Sequence, residues 1–130
     1  MKNGKQKGAI KIDVLDAIYK RRSIRNFTNQ PISDEVLHQI LEAGTWAPSA
    51  GNMQAWEFVI IKDPVARRKL VDTTDAGNTA RGGIYTQEWI MQAPVVVIVC
   101  YDVKRMTGRY GKKGRTLMTI MDCMLCVENM

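Results

Sequence analysis

Two loops carry most of the side chains in this chain that could do chemistry. The first is RRSIRNF, residues 21–27, which sets Arg21, Arg22, Ser23 and Arg25 within five positions. A guanidinium presents a planar fork of N–H donors that matches phosphate oxygens, and a serine hydroxyl with loop N–H groups can complete an anion site. The same charges would also suit a solvated turn. The second is APSAGNMQAW, residues 47–56. Pro48 and Gly51 shape its backbone. Ser49, Asn52 and Gln54 are uncharged groups that can both donate and accept hydrogen bonds. Gln54 and Trp56 lead into an apolar strand, so the loop sits at a strand mouth, where such groups suit a polar heterocycle on apolar walls. A turn that merely caps the strand is the other reading.

These loops need elements to position them. Asp13 is placed to cap a helix that carries Val14, Leu15, Ile18 and Tyr19 and ends near Arg22. Ser33 caps a second helix, with Asp34 and Glu35 in its first turn, an apolar stripe of Val36, Leu37, Ile40 and Leu41, and Gly44 as its stop. His38, the single histidine, falls outside that stripe and is expected to face solvent. WEFVII, residues 56–61, reads as a buried strand. Asp63-Pro64 fits the cap and first position of a helix over VARRKLVD. Residues 73–84 read as loop, YTQEWIMQA as a short helix, and PVVVIVCY as a strand. DVKRMTGRYGKKGR, residues 102–115, reads as a mobile loop. A last helix from about Thr116 carries Leu117, Met118, Ile120, Met121, Met124, Leu125 and Val127. Its stripe is too wide for a surface helix, so the core or a second subunit must cover most of it. The mixture of elements is α/β or α+β.

The chain has 130 residues, 45% hydrophobic and 25% charged, enough for one domain with a core. No apolar run is long enough to span a membrane. Residues 1–12 are expected to be a flexible basic leader, because Lys, Gln, Gly and Asn cannot bury apolar surface. The net charge of +6 is uneven: +6 over residues 1–30, −4 over 31–103 and +4 over 104–130. Two basic clusters framing an acidic middle suit an anionic partner, or a solvated surface. A nucleic-acid-binding module is one alternative, but no nucleic-acid-binding motif is present. Cys100, Cys123 and Cys126 imply no disulfide framework, in keeping with a reducing compartment, and a cytoplasmic location is expected. The Cys123-x-x-Cys126 spacing falls within an apolar helix and lacks a second ligand pair, so core packing is expected and a metal site is not. No GxGxxG or P-loop pattern occurs.

The stretch RRSIRNFTNQPISDEVLHQILEAGTWAPSAGNMQAWEFVII closely resembles the N-terminal part of the FMN-dependent nitroreductase family. RRSIRNF is similar to the family's R-R-S-x-R-x-F/Y loop, PISDE to its P-I/V-x-x-D/E helix start, and PSAGNMQAW to its P-S-x-x-N-x-Q-P-W loop. The order and distances match, and Ala55 stands where the family pattern has proline. The resemblance runs from about Asp13 to the end, with DCMLCVENM similar to the family's long central helix. It implies an α+β nitroreductase-like fold, with a central, mainly antiparallel sheet flanked by helices, in a homodimer. Residues 13–130 would be the N-terminal part of that domain, the C-terminal portion being absent. The resemblance further implies an FMN cofactor and NAD(P)H as electron donor. Arg21, Arg22 and Ser23 would hold the phosphate and ribityl chain, with Arg25 near the N1/O2 edge of the ring. Pro48, Ser49, Ala50 and Asn52 would approach the flavin of the other subunit, and Gln54 would be a further contact. The implied reaction is ping-pong hydride transfer from NAD(P)H through flavin to a nitroaromatic, quinone or flavin acceptor. An inactive family remnant is the other alternative. No proton-transfer residue, metal, nucleic acid or membrane partner is expected.

Overall fold

A computed structural model describes residues 12–74 and 86–130. Most of the expected leader, and most of the loop expected over 73–84, lie outside the described residues.

Four helices begin where a short acidic or hydroxyl side chain takes up backbone N–H groups that the first turn leaves without partners. In α1 (Val14–Lys20) the Asp13 carboxylate accepts from Leu15 N at 2.9 Å and Asp16 N at 3.4 Å. In α2 (Asp34–Thr45) the Ser33 hydroxyl accepts from Val36 N. In α3 (Pro64–Asp72) Asp63 accepts from Ala66 N, with Pro64 at the start. The fourth is a correction. Residues 103–113, expected within a mobile loop, form α4 (Val103–Lys113), capped by Asp102, which accepts from Arg105 N at 3.0 Å. The glycines and basic residues of the segment suggested a loop. Local propensity is overridden because Met106 is fully buried and anchors the helix. A break at Gly111 and a π-helical turn over Gly114–Met118 lead into α5 (Thr119–Asn129).

Two strands, β1 (Trp56–Ile61) and β2 (Val96–Tyr101), pair antiparallel from Trp56 opposite Tyr101 to Ile61 opposite Val96. Among the described residues they form the sheet, and with the helices they make an α+β fold. β1 is less covered than its apolar run suggests, since Glu57 and Val59 are exposed on one side. Its other side supplies Trp56 and Phe58, which meet Ala47, Val99, Cys123, Cys126 and Met130 in the core. The short helix expected over YTQEWIMQA is a 3-10 turn, Glu88–Gln92. Arg67 of α3, buried, staples this region: it donates to the carbonyls of Lys62 at 3.0 Å, Pro94 at 2.9 Å and Met91 at 3.2 Å.

The crossing of α2 and α5 corrects one expectation and narrows another. Gly44 does not stop α2 but lies inside it, buried. A Cβ there would sit 2.9 Å from Met130 Cγ and 3.0 Å from Cys126 Sγ, so glycine leaves room for these two side chains at the crossing. Such closeness also calls for small residues on α5. Thr119, Asp122, Cys123 and Cys126 are the buried ones, at helical spacing. Leu117, Ile120, Met121, Met124, Leu125 and Val127 are instead exposed. These large residues form the outer face of the helix, so of the two covers expected for the stripe, the core of the same chain is not the one.

Candidate functional site

The loop from Pro48 to Gln54 is held in an unusual backbone shape. Gly51, Asn52 and Gln54 all have positive φ, at 56°, 55° and 46°. Glycine and asparagine tolerate that region; glutamine does so at a cost of about 1 kcal/mol. Neighbours on three sides enforce it. The Ser49 hydroxyl accepts from Gln54 N at 3.0 Å. From α4, Arg105 donates to Gln54 O at 2.8 Å and Arg109 to Gly51 O at 3.3 Å. From α5, both carboxylate oxygens of Asp122 accept from Ala50 N, at 3.0 and 3.2 Å. The next strand is tied in by Asp102 N, which donates to Ala55 O at 2.7 Å. Ala55 is buried in the position where the family pattern carries proline.

Beside this loop runs a groove of about 340 Å³, lined by Pro48, Ser49 and Ala50 on one side and by Leu117, Met121 and Leu125 among the residues of the other. Its walls are mostly apolar with a few polar groups, as in sites for flat heterocycles. Asn52 and Gln54 are exposed at the loop's crest.

The other candidate residues, Arg21, Arg22, Ser23 and Arg25, are all exposed in the segment after α1. Arg22 Nη1 donates to the carbonyls of Tyr19 and Arg21, at 2.9 and 2.8 Å, which fixes the guanidinium against the helix end. Arg25 lies over the Trp89 ring, 5.9 Å from its centroid. Phe27 packs its ring at a tilt against the same Trp89, and its N–H donates to Gln92. Arg21 reaches Glu128 near the end of α5, at 3.5 Å.

Both groups of residues are thus tied to α5, one through Asp122 and one through Glu128. Six residues of helix place these anchors about 9 Å apart along the axis and about 120° apart around it. The described hydrogen bonds and ion pairs do not join the arginine segment to the Pro48–Gln54 loop. They occupy separate sectors of one chain.

Sequence reasoning missed Asp122, Arg105 and Arg109 as supports of the loop. Asp122 had a signal, an acid set among the apolar residues of a helix. The arginines had none beyond charge, because their helix was read as loop. Cys123 and Cys126 are buried, as their packing reading required. Burial pushes both thiols up, and for Cys123 the nearby Cys126, Asp122 and Cys100 add to it, the opposite of a reactive cysteine. His38 is exposed. Among the described residues no cluster of His, Cys, Asp and Glu could hold a metal ion, and no helix is long and apolar enough to cross a membrane.

Each of the two groups offers chemistry that suits one part of a phosphorylated flavin. Exposed guanidiniums and a hydroxyl suit the phosphate, and an apolar groove beside a hydrogen-bonding loop suits a ring. Residues 18–130 match the nitroreductase family. The chain is 36% identical over 93 residues to NADH dehydrogenase of Thermus thermophilus, covering 72% of this chain and 40% of that protein. It is 34% identical over 93 residues to FMN reductase (NAD(P)H) of Bacillus subtilis, covering 72% and 33%. Among solved structures it is similar to NADPH:FMN oxidoreductase of Vibrio harveyi complexed with NAD+, with a TM-score of 0.69, 28% identity, and coverage of 88% of this chain and 48% of that one. The chain spans about half the length, or less, of these relatives. With its matching motifs, fold and residue range, it belongs to the nitroreductase family.

Proposed function

We propose that this chain serves an FMN-dependent NAD(P)H oxidoreductase that works as a homodimer. The observation that carries the reading is the division of the candidate site. Arginine segment and hydrogen-bonding loop sit on different sectors around α5, so each would complete a site with the opposite half from a second copy. Exposed apolar faces support that assembly: Val14, Leu15 and Ile18 on α1, and Met121, Met124 and Leu125 on α5.

In this reading Arg21, Arg22 and Ser23 hold the phosphate and ribityl chain, using N–H and O–H donors left free by their local bonds. Arg25, braced over Trp89, offers positive charge toward the ring. Pro48, Ser49, Ala50 and Asn52, with Gln54 as a further contact, meet the ring from the other copy. The apolar groove wall keeps water from that face. When bound, FMN would supply two-electron redox chemistry between NAD(P)H and a nitroaromatic, quinone or flavin acceptor, in ping-pong order. The protein's part is orientation and electrostatics, and no side chain is assigned a proton.

The test is a visible absorption spectrum of the purified chain after incubation with FMN and removal of free cofactor, followed by stopped-flow mixing with NADH and NADPH. Retained flavin absorbance that either nucleotide bleaches is the expected result. A colourless protein, or bound flavin that neither nucleotide bleaches, overturns the reading.

A further inference from the structure

We infer that Asp122 is a positioning residue: from α5 it holds the Ala50 N–H, and so fixes the turn that presents Ser49 and Asn52 to the cofactor. The inference rests on the flavin reading of that loop.

The 3-10 turn Ala50–Asn52 begins with a backbone N–H that its own cap does not satisfy. Ser49 stands at the cap position, yet its side chain makes no capping bond. Its hydroxyl accepts instead from Gln54 N, five residues on. The capping role passes to Asp122, 72 residues along the chain, whose two oxygens share the Ala50 N–H. This division of labour leaves the Ser49 O–H free to donate elsewhere, and it fixes where that hydroxyl points. A cap supplied from another element also ties the turn to α5, the wall of the groove.

Asp122 is a poor choice for any role that is only structural. It is 5% exposed and has no cation within ion-pair distance among the described residues. Aspartate is also among the weaker helix formers, and it occupies a buried stripe otherwise made of Thr119, Cys123 and Cys126. A small apolar residue would pack there without desolvating a carboxylate. What the carboxylate adds is a charge-assisted bond to one amide of the loop, stronger and more directional than a neutral partner gives.

The experiment measures FMN affinity by flavin fluorescence and exchange of the Ala50 amide, together with thermal melting, in the full chain and three variants. Asp122→Ala should weaken FMN binding about tenfold or more and speed exchange at Ala50. Asp122→Asn keeps one acceptor oxygen but loses the charge, and should bind FMN more weakly than the parent chain and more tightly than Asp122→Ala. Thr119→Val disturbs the same buried stripe but does not touch the loop, and should lose melting temperature while keeping its FMN affinity. Asp122→Ala that binds FMN like the parent, or Thr119→Val that loses as much affinity as Asp122→Ala, overturns the positioning role. A parent chain that takes up no FMN overturns the flavin reading itself, and the positioning role with it.

Discussion

The junction of α4, the π-turn and α5 makes a sharp prediction through two glycines, because they should respond to the same substitution with opposite signs. Gly108 lies in exposed helix, and a Cβ built on it meets nothing within 4 Å. Gly108→Ala should therefore gain the difference in helix propensity, about 1 kcal/mol. Gly114 is buried with helical φ and ψ, −60° and −40°, so propensity alone predicts the same gain. Its surroundings do not allow it. A Cβ there would lie 2.8 Å from the carbonyl carbon of Met106, nearer still to its oxygen, and 3.0 Å from Tyr110 Cβ. Ordinary contact begins at 3.4 Å, and the obstructing atoms are mostly backbone, which cannot swing aside as a rotamer can. α4 would have to move by more than about half an ångström, and Met106, fully buried, would move with it. Overpacking of this kind costs about 3 kcal/mol at the upper end of its usual range. After the propensity gain the net loss is about 2 kcal/mol.

For a chain of this size about 1 kcal/mol corresponds to roughly 3–5 °C. Gly108→Ala should melt roughly 3–5 °C above the parent chain, and Gly114→Ala roughly 6–10 °C below it, by calorimetry or far-UV circular dichroism. A Gly114→Ala variant that melts at or above the parent would refute the described approach of α4 to the π-turn, and with it the argument that α4 braces the Pro48–Gln54 loop.

Other perturbations probe the site and its surroundings. Arg21→Ala should raise the FMN dissociation constant about tenfold by removing a charge-assisted phosphate contact, and unchanged affinity in a fluorescence titration would remove Arg21 from the phosphate set. Glu88 is held at about 2 by Arg68, and secondarily by the Thr86 hydroxyl. A depressed carboxylate stabilises the fold above its ordinary value and loses that contribution as pH falls. The link between α3 and the 3-10 turn should thus weaken between about pH 4.5 and 2, and Glu88→Gln should flatten the acid limb of a stability profile in that window. Cys123 and Cys126 should resist alkylation at pH 8 until the protein unfolds, and two fast-reacting thiols in the native chain would contradict their place in the core.

What was legible in the sequence follows from how local each signal is. Asp13, Ser33 and Asp63 announced three helix starts because a cap acts within three residues of itself. The strands were visible in their β-branched runs. α4 was hidden because its stability comes from Met106 in the core and from Arg105 and Arg109 reaching residues more than fifty positions earlier, none of which leaves a periodic trace. Gly44 looked like a stop for the same reason: the neighbours that fill the space beside it, Cys126 and Met130, lie across the helix crossing.

α5 shows what hydrophobic patterning leaves open about direction. The periodicity was correctly helical, but periodicity says only that residues share a face, not which face meets the core. At a close crossing the inner face must be small, so Thr119, Cys123 and Cys126 go in and the large residues are left outside. In a lone chain that exposes Leu117, Ile120, Met121, Met124 and Leu125 to water, a cost that folding of one copy does not repay. The face beside the Pro48–Ala50 groove is therefore both the most apolar surface of α5 and one wall of the candidate site. A second copy docked there would cover the apolar residues and enclose the groove in one step, coupling assembly to cofactor binding. Under that coupling, FMN should raise the fraction of dimer in sedimentation, and dilution that separates the copies should release flavin.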